Sequence, residues 1–361
     1  MKFIHIADMH FDSPFVNLSD KEILGDLRRL EQRKALKKVI EYIKENNIEY
    51  LFIAGDLYEQ KYIKRSTIEY INNLFKEIPE TKIFISPGNH DPYLKNSYYN
   101  KYNWNNNVKI FNSKIEKIET EQANIYGYGF DDFYCKNSGI ENLEIDDKNK
   151  LNILIIHGSL DGGTIEDNEY NPLSRKMLKE KGFDYVALGH IHKLDYNNEE
   201  NQNIVYPGST VSLGFDELGE HGMIVGDVEK EKIKLEFIPL DEMQFKLHEV
   251  DVTEIISKEE LIEKINGLNF DENNLVEIIL VGKRNFEINI YELYKLILNN
   301  KIIKIKNKTK INYDLNKLAN ENTLKGLFAK EMLEKLNNEN LTADEKEILE
   351  KAIEIGMDAL E

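Results

Sequence analysis

Five short apolar runs, each closed by a cluster of acid, amide or imidazole side chains, limit what this chain can fold into: KFIHIAD, IEYLFIAGD, KIFISPGNHD, LNILIIHGS and YVALGHIH. Each run is brief and rich in Ile, Leu, Val, Phe or Tyr, the signature of a strand buried on both faces. Helical patterns separate the runs. Residues 21–47 place Leu27, Leu30, Ala35, Val39 and Ile43 on an expected apolar face, and residues 66–78 and 172–182 carry further helical patterns. Strand–helix alternation predicts an α/β domain. In such domains ligands gather beyond the carboxyl ends of the strands. Every polar cluster falls at such an end, so all five are expected along one edge of the molecule.

The clusters contain Asp8 and His10; Asp56; Asn89, His90 and Asp91; His157; and His190 with His192. They take five of the chain's eight histidines. Imidazole is the commonest side-chain metal ligand. His190 and His192 are two residues apart, so in an extended stretch they face the same side. Carboxylates, one amide and imidazoles without sulfur suit manganese, iron or zinc better than calcium or cuprous copper. The set is too large for one ion and sufficient for two, with Asp56 as the natural bridge. Of the remaining histidines, His5 is expected in the core, His221 in a hairpin turn and His248 at the surface.

At 361 residues the chain exceeds one average domain. NIVYPGS, GMIVGDVE and KIKLEFIPL predict further strands that complete a catalytic domain over residues 1–245. A small α/β cap is expected over 250–318 and a helical tail over 319–361, where TADE at 342–345 forms a capping box. The apolar face of 323–336 fits core packing or the docking of a partner helix. No apolar run is long enough to span a membrane, and the N-terminus lacks the apolar stretch of a signal peptide. The single cysteine, Cys135, excludes an internal disulfide and is expected to be inert, which fits a cytoplasmic setting. A net charge of −18 excludes a general nucleic-acid coat protein, but not an enzyme whose bound cations meet phosphate. Lys304, Lys306, Lys308 and Lys310 alternate, so on one strand they would form either a solvated face or a strip that follows a DNA backbone.

The five motifs, in this order, resemble the calcineurin-like metallophosphoesterase superfamily over residues 1–240. ADMHFDSPF, AGDLYEQ, ALGHIHK and YPGS resemble its DNA-repair exonuclease branch, the SbcD/YhaO-like nuclease subunits. The resemblance implies a four-layer α/β/β/α sandwich with a C-terminal α/β cap and a helical tail. It implies two divalent ions, usually manganese: one on Asp8, His10, Asp56 and His192, the other on Asp56, Asn89, His157 and His190. His90 would be catalytic, stabilising charge or protonating the leaving oxygen. Asp91 would orient that imidazole or cap the next turn. Tyr206 and Ser209, in YPGS, would lie near substrate. The implied activity is hydrolysis of DNA phosphodiesters, as an exonuclease or also as an endonuclease. The implied partner is an SbcC/YhaN-like coiled-coil ATPase, with room for a homodimer and no membrane. One rival is a phosphatase or a small-molecule or cyclic-nucleotide phosphodiesterase. However, GDLYEQ lacks the Asp-Arg-Gly continuation of phosphoprotein phosphatases, and the C-terminal extension is long for a minimal cyclic-nucleotide enzyme. The second rival is a non-catalytic, metal-stabilised scaffold, which the complete ligand set and His90 disfavour.

Overall fold

The computed structural model describes residues 1–15, 22–162, 169–196, 202–338 and 341–360. It divides into two compact units, Met1–Gln244 and Phe245–Glu361.

The first unit holds strands β1 (Lys2–Ile6), β2 (Tyr50–Ile53), β3 (Lys82–Ile85), β4 (Val108–Ile110), β5 (Glu116–Glu119), β6 (Ala123–Tyr128), β7 (Leu151–His157), β8 (Tyr185–Gly189), β9 (Ile204–Val205), β10 (Gly222–Glu229) and β11 (Lys232–Pro239). Its helices are α1 (Glu22–Asn46), α2 (Arg65–Lys76), the single turn α3 (Tyr98–Lys101) and α4 (Arg175–Lys181). One sheet runs β11-β10-β1-β2-β3-β4 and the other β5-β6-β7-β8-β9. The β1–β2, β2–β3, β6–β7 and β7–β8 pairings are parallel, so the strands that carry the motifs end side by side.

Side-chain alternation builds the layers. Phe3, Tyr50, Phe52 and Phe84 point from the first sheet into a core shared with Ile125, Ile153, Ile155, Tyr185 and Ala187 of the second. The intervening Ile4, Ile6, Leu51, Ile53, Ile83 and Ile85 pack against Leu36, Val39, Ile40, Ile43, Ile68 and Phe75 of α1 and α2. On the far side, Leu154, Ile156 and Leu188 meet Leu178 of α4. The result is the four-layer α/β/β/α sandwich. Strands covered on both faces must be apolar throughout, which explains the unbroken runs. His5 is one buried polar exception, as are Asn124 on β6 and Asn152 on β7. His5 is buried between the sheets, donating from Nε2 to the Leu188 carbonyl (3.1 Å) and accepting at Nδ1 from the Tyr185 hydroxyl (2.9 Å). Burial pulls its pKa to about 3, so it is a neutral core residue.

Helix α1 departs from its expected pattern. Ala35, Val39 and Ile43 are buried, but Leu27 and Leu30 are 42% and 49% exposed. The inward positions at this end belong to Arg28, Glu31 and Gln32. They serve loops rather than the core: Gln32 Nε2 donates to the carbonyls of Met9 (2.8 Å) and His10 (2.9 Å).

The second unit contains a sheet of β12 (Gln244–Asp251), β13 (Asn274–Val281) and β15 (Ile302–Asn307), and a two-stranded ladder of β14 (Lys283–Arg284) with β16 (Lys310–Ile311). Helices α5 (Lys258–Asn266) and α6 (Ile290–Leu296) supply Leu261, Ile265 and Leu293 to the core beside Val276, Ile278 and Ile302. Helices α7 (Leu315–Leu318), α8 (Leu324–Leu336) and α9 (Ala343–Ala359) follow, with α8 and α9 packed through Ala329, Met332, Ile353 and Met357. The box at 342–345 forms: Glu345 accepts from the Thr342 backbone N–H at 2.9 Å, and Thr342 Oγ accepts from that of Glu345 at 3.3 Å. Among the described residues, no helix is long and apolar enough to cross a membrane.

Candidate metal centre

Asp8 and His10 lie on the loop after β1, and Asp56 on the loop after β2. The parallel pairing continues into both loops: Asp8 N–H donates to the Gly55 carbonyl (3.1 Å) and His10 N–H to that of Asp56 (2.9 Å). Asp8, His10 and Asp56 all take left-handed backbone, with φ of 51°, 49° and 52°. With Asp12 (φ 62°) and Phe15 (φ 48°) also left-handed in the first loop, this is a strained arrangement of the sort found at functional sites. Gly55 (φ 92°) lets the second sheet approach, because a Cβ there would lie 2.3 Å from Nδ1 of His157. His157 ends β7, where it is paired with Gly189, and His190 and His192 follow on the loop after β8. The strand ends of both sheets thus bring the clusters together.

Tautomers reveal what the cluster lacks. His10 Nδ1 lies 2.8 Å from Glu59 Oε1, His192 Nδ1 lies 2.6 Å from Glu217 Oε1, and His157 Nδ1 lies 2.9 Å from the Ala54 carbonyl. These partners are acceptors, so each Nδ1 carries the proton and each neutral ring presents a bare Nε2. The Nε2 atoms of His10 and His192 face each other at 3.1 Å. His157 Nε2 is 2.9 Å from Asn89 Oδ1 and 3.4 Å from Asp56 Oδ2. His190 Nδ1 lies 3.2 Å from the same amide oxygen. Lone pairs therefore converge on lone pairs, and positive charge is needed between them. Either protons or cations can supply it.

Without cations, the surrounding carboxylates favour protons in that role. Burial depresses the imidazoles of His157 and His192, but Asp56 at the first and Glu217 and Asp8 at the second outweigh it, raising both to about 9. Burial together with charged His157 drives His190 down to about 3, which leaves its lone pair available. Burial alone would raise Asp56, yet His157, His10 and His90 hold it well below the usual carboxylate range. The donor set fits divalent cations: Asp8, His10 and His192 can close on one point, and Asp8, Asp56 and His157 on another. Each clamped imidazole has the outer partner that metal-ligating histidines ordinarily possess.

The remaining expected residues sort differently. His90 is exposed, its backbone N–H donates to Asp56 Oδ1 (2.8 Å), and its Nδ1 is held by Glu59 Oε2 (3.0 Å). Asp91 does not orient that imidazole. It is fully buried and accepts from the backbone N–H groups of Asp56 (3.0 Å), Leu57 (2.7 Å) and Gly88 (2.7 Å) and from the Tyr99 hydroxyl (2.5 Å). It therefore ties the second loop to the third, and burial lifts its pKa to about 6.

Tyr206 and Ser209 are also buried rather than presented to substrate. The Tyr206 hydroxyl donates to the Gly158 carbonyl (2.6 Å), and Ser209 Oγ is shared between Glu217 and His221. His221 is not in an open turn but buried beside Ser209, and half-buried His248 packs edge-on against Phe270. Cys135 is buried against the Tyr128 hydroxyl, and burial raises its thiol. The four lysines form no single row. Lys304 and Lys306 lie on β15 and pair with buried Glu277, Lys308 follows the strand's end, and Lys310 lies on β16 and pairs with Glu354. The chain leaves β15 at Asn307 and enters β16 only at Lys310, so of the four lysines only Lys304 and Lys306 share a strand. Glu59 and Glu217 lie outside the residues singled out from the sequence.

A family profile described as "Calcineurin-like phosphoesterase" matches residues 1–194. The chain is 26% identical over 264 residues to the "Uncharacterized metallophosphoesterase YhaO" of Bacillus subtilis, covering 70% of this chain and 64% of the relative. It thus spans somewhat less than two thirds of that relative. It is 30% identical over 317 residues to the SbcD component of the SbcCD nuclease of Staphylococcus epidermidis, covering 77% of this chain and 80% of the relative. The protein of the same name from Staphylococcus saprophyticus is 28% identical over 305 residues, covering 75% and 77%.

Proposed function

Because the chain belongs to the calcineurin-like phosphoesterase family, we propose that it is a two-metal phosphodiesterase acting on DNA, the nuclease subunit of a cytoplasmic repair assembly with an SbcC/YhaN-like coiled-coil ATPase. The observation that carries the metal reading is the convergence of the Nε2 atoms of His10, His192 and His157 on one another, on Asp56 and on Asn89. The relatives named as nuclease components support DNA as substrate.

Asp8, His10, Asp56 and His192 would hold one ion, and Asp56, Asn89, His157 and His190 the other. Manganese suits this mixed oxygen and nitrogen set. Ions held there would supply positive charge to a phosphodiester oxygen and acidify the attacking water. The protein's part is to hold its donors in place before substrate arrives. Asp56 serves both sets from a loop fixed by Asp91. His90, the exposed imidazole of the cluster, donates a proton to the leaving oxygen, with Glu59 holding its ring from behind. Residues 1–245 carry this chemistry, 250–318 form the cap, and 319–361 offer the partner-docking segment.

The deciding experiment compares linear duplex DNA, a cyclic nucleotide and an aryl phosphodiester as substrates, with manganese and with chelator, for the wild type and His90→Ala. Manganese-dependent cleavage of DNA that falls at least a hundredfold in the variant, with metal uptake retained, is expected. Turnover of only the small esters would refute the substrate reading, and an undiminished variant would refute the role of His90.

A further inference from the structure

His192 is the least enclosed of the clamped imidazoles, with a side chain 27% exposed against 2% for His10 and 0% for His157. His10 sits on a loop laced to its neighbour by backbone bonds, and His157 lies within a strand. His192 follows a strand end and depends on what surrounds it.

What surrounds it is a self-bonded segment. Glu217 Oε1 accepts from His192 Nδ1–H at 2.6 Å. Its Oε2 accepts from Ser209 Oγ–H (3.0 Å) and from the Leu213 backbone N–H (2.9 Å). Its carbonyl accepts from Ser212 Oγ–H (2.7 Å) and from His221 Nε2–H (3.1 Å). The Ser209 N–H donates back to the His192 carbonyl at 3.0 Å. The segment is pinned to α1 by Arg28, a fully buried guanidinium. Arg28 donates from Nη2 to the Ser212 carbonyl and from Nη1 to Glu31 (2.5 Å) and the Met243 carbonyl (3.3 Å). Burying such a charge is costly unless it is paired and fully used. Here it ties a helix to the segment that aims one imidazole.

We propose that Glu217 is a positioning residue of the metal centre: it keeps the proton of His192 on Nδ1 and fixes the ring so that the bare Nε2 faces His10, with Arg28 anchoring the segment that carries it. This rests on the two-metal reading above and assigns to Glu217 a role at only one of the two ions. The contacts of Asn89, His157 and His190 run to one another and to the first two loops rather than to Glu217, so their ion is independent of it. Without the carboxylate, the His192 ring is free to rotate, and its Nε2 tautomer would aim a proton where an ion should sit.

The test is calorimetric titration of the full-length, metal-free chain with manganese, comparing wild type, Glu217→Ala and Glu217→Gln, with thermal unfolding in chelator as the check on folding. The wild type should take up two ions. Glu217→Ala should weaken one of them ten- to a hundredfold and leave the other unchanged, the scale usual for an outer partner of a metal ligand. Glu217→Gln, whose amide oxygen still accepts from Nδ1–H, should recover part of the loss and serves as the test variant should the alanine variant not fold. Wild-type uptake of both ions by a folded variant, or an equal loss at both, would overturn the proposal. A wild-type chain that takes up no ion would overturn the metal reading instead.

Discussion

Replacing Asp56 by asparagine tests the claim that one carboxylate serves two ions. Asp56 is 1% exposed. Its Oδ1 accepts from the His90 N–H (2.8 Å), and its Oδ2 lies 3.4 Å from His157 Nε2 and 3.8 Å from His10 Nε2. An asparagine keeps the acceptor for His90 and offers an N–H to His157, so the loop survives while the shared charge is lost. An ion present at a hundred times its dissociation constant stabilises the folded state by about 2.7 kcal/mol, so two ions give roughly 5 kcal/mol. For a unit the size of Met1–Gln244, each kcal/mol raises the melting temperature by about 2–4 °C, so manganese should raise that of the wild type by roughly 10–20 °C. Loss of a charged ligand that weakens each ion by about a hundredfold leaves only about 0.4 kcal/mol per ion at the same manganese concentration, a shift of a few degrees. His192→Gln, which touches one ion, should retain about half of the wild-type shift. Differential scanning calorimetry with chelator and with manganese measures all three, and each variant serves as its own metal-free reference. An Asp56→Asn shift equal to half the wild-type value or more would refute the shared-ligand reasoning.

Four further outcomes follow from the same geometry. His157 and His192 are raised to about 9 without metal, so manganese must displace protons; affinity should climb with pH up to about 9, with proton release seen by titration in buffers of different ionisation enthalpy, and a flat profile would refute this. By the same sign, these two rings stabilise the metal-free protein fully below their unfolded pKa of about 6.5 and lose that contribution as pH rises through 9, which urea titrations across this range would detect. Gly55→Ala places a Cβ at φ 92°, 2.3 Å from His157 Nδ1, and should cost at least 2 kcal/mol or so and abolish manganese uptake, checked by unfolding and calorimetry. Tyr99→Phe removes one of the four donors to Asp91 and should cost about 1–2 kcal/mol in urea unfolding while leaving manganese-dependent turnover within a fewfold; a collapse of turnover in a stable variant would return Asp91 to a catalytic role.

What the sequence made legible, and what it hid, divides along a physical line. Strands such as LNILIIH are readable because burial on both faces demands a nearly unbroken apolar run, a purely local signature. Strand β6 meets the same demand with ANIYGY, in which Gly127 is required because the Phe111 ring occupies the space of its Cβ, at 2.1 Å. A residue chosen to make room for a distant ring does not look like strand. The same holds at the centre. The candidate ligands sit at strand ends and announce themselves, but a histidine's second nitrogen is satisfied by whatever the fold brings to it. Glu59 lies three positions after Asp56 yet serves His10 and His90, and Glu217 lies 25 positions beyond His192. Asp91, next to His90 in sequence, turns the opposite way to gather the N–H groups of Asp56 and Leu57. Leu27 and Leu30 obey the helical period and still face out, because the inward places of that turn go to Arg28, Glu31 and Gln32. Adjacency in sequence identified which groups could bind a cation. The orientation of those groups depends on side chains contributed from elsewhere in the chain, and the aim of an imidazole lone pair is therefore a property of the fold rather than of the motif that carries it.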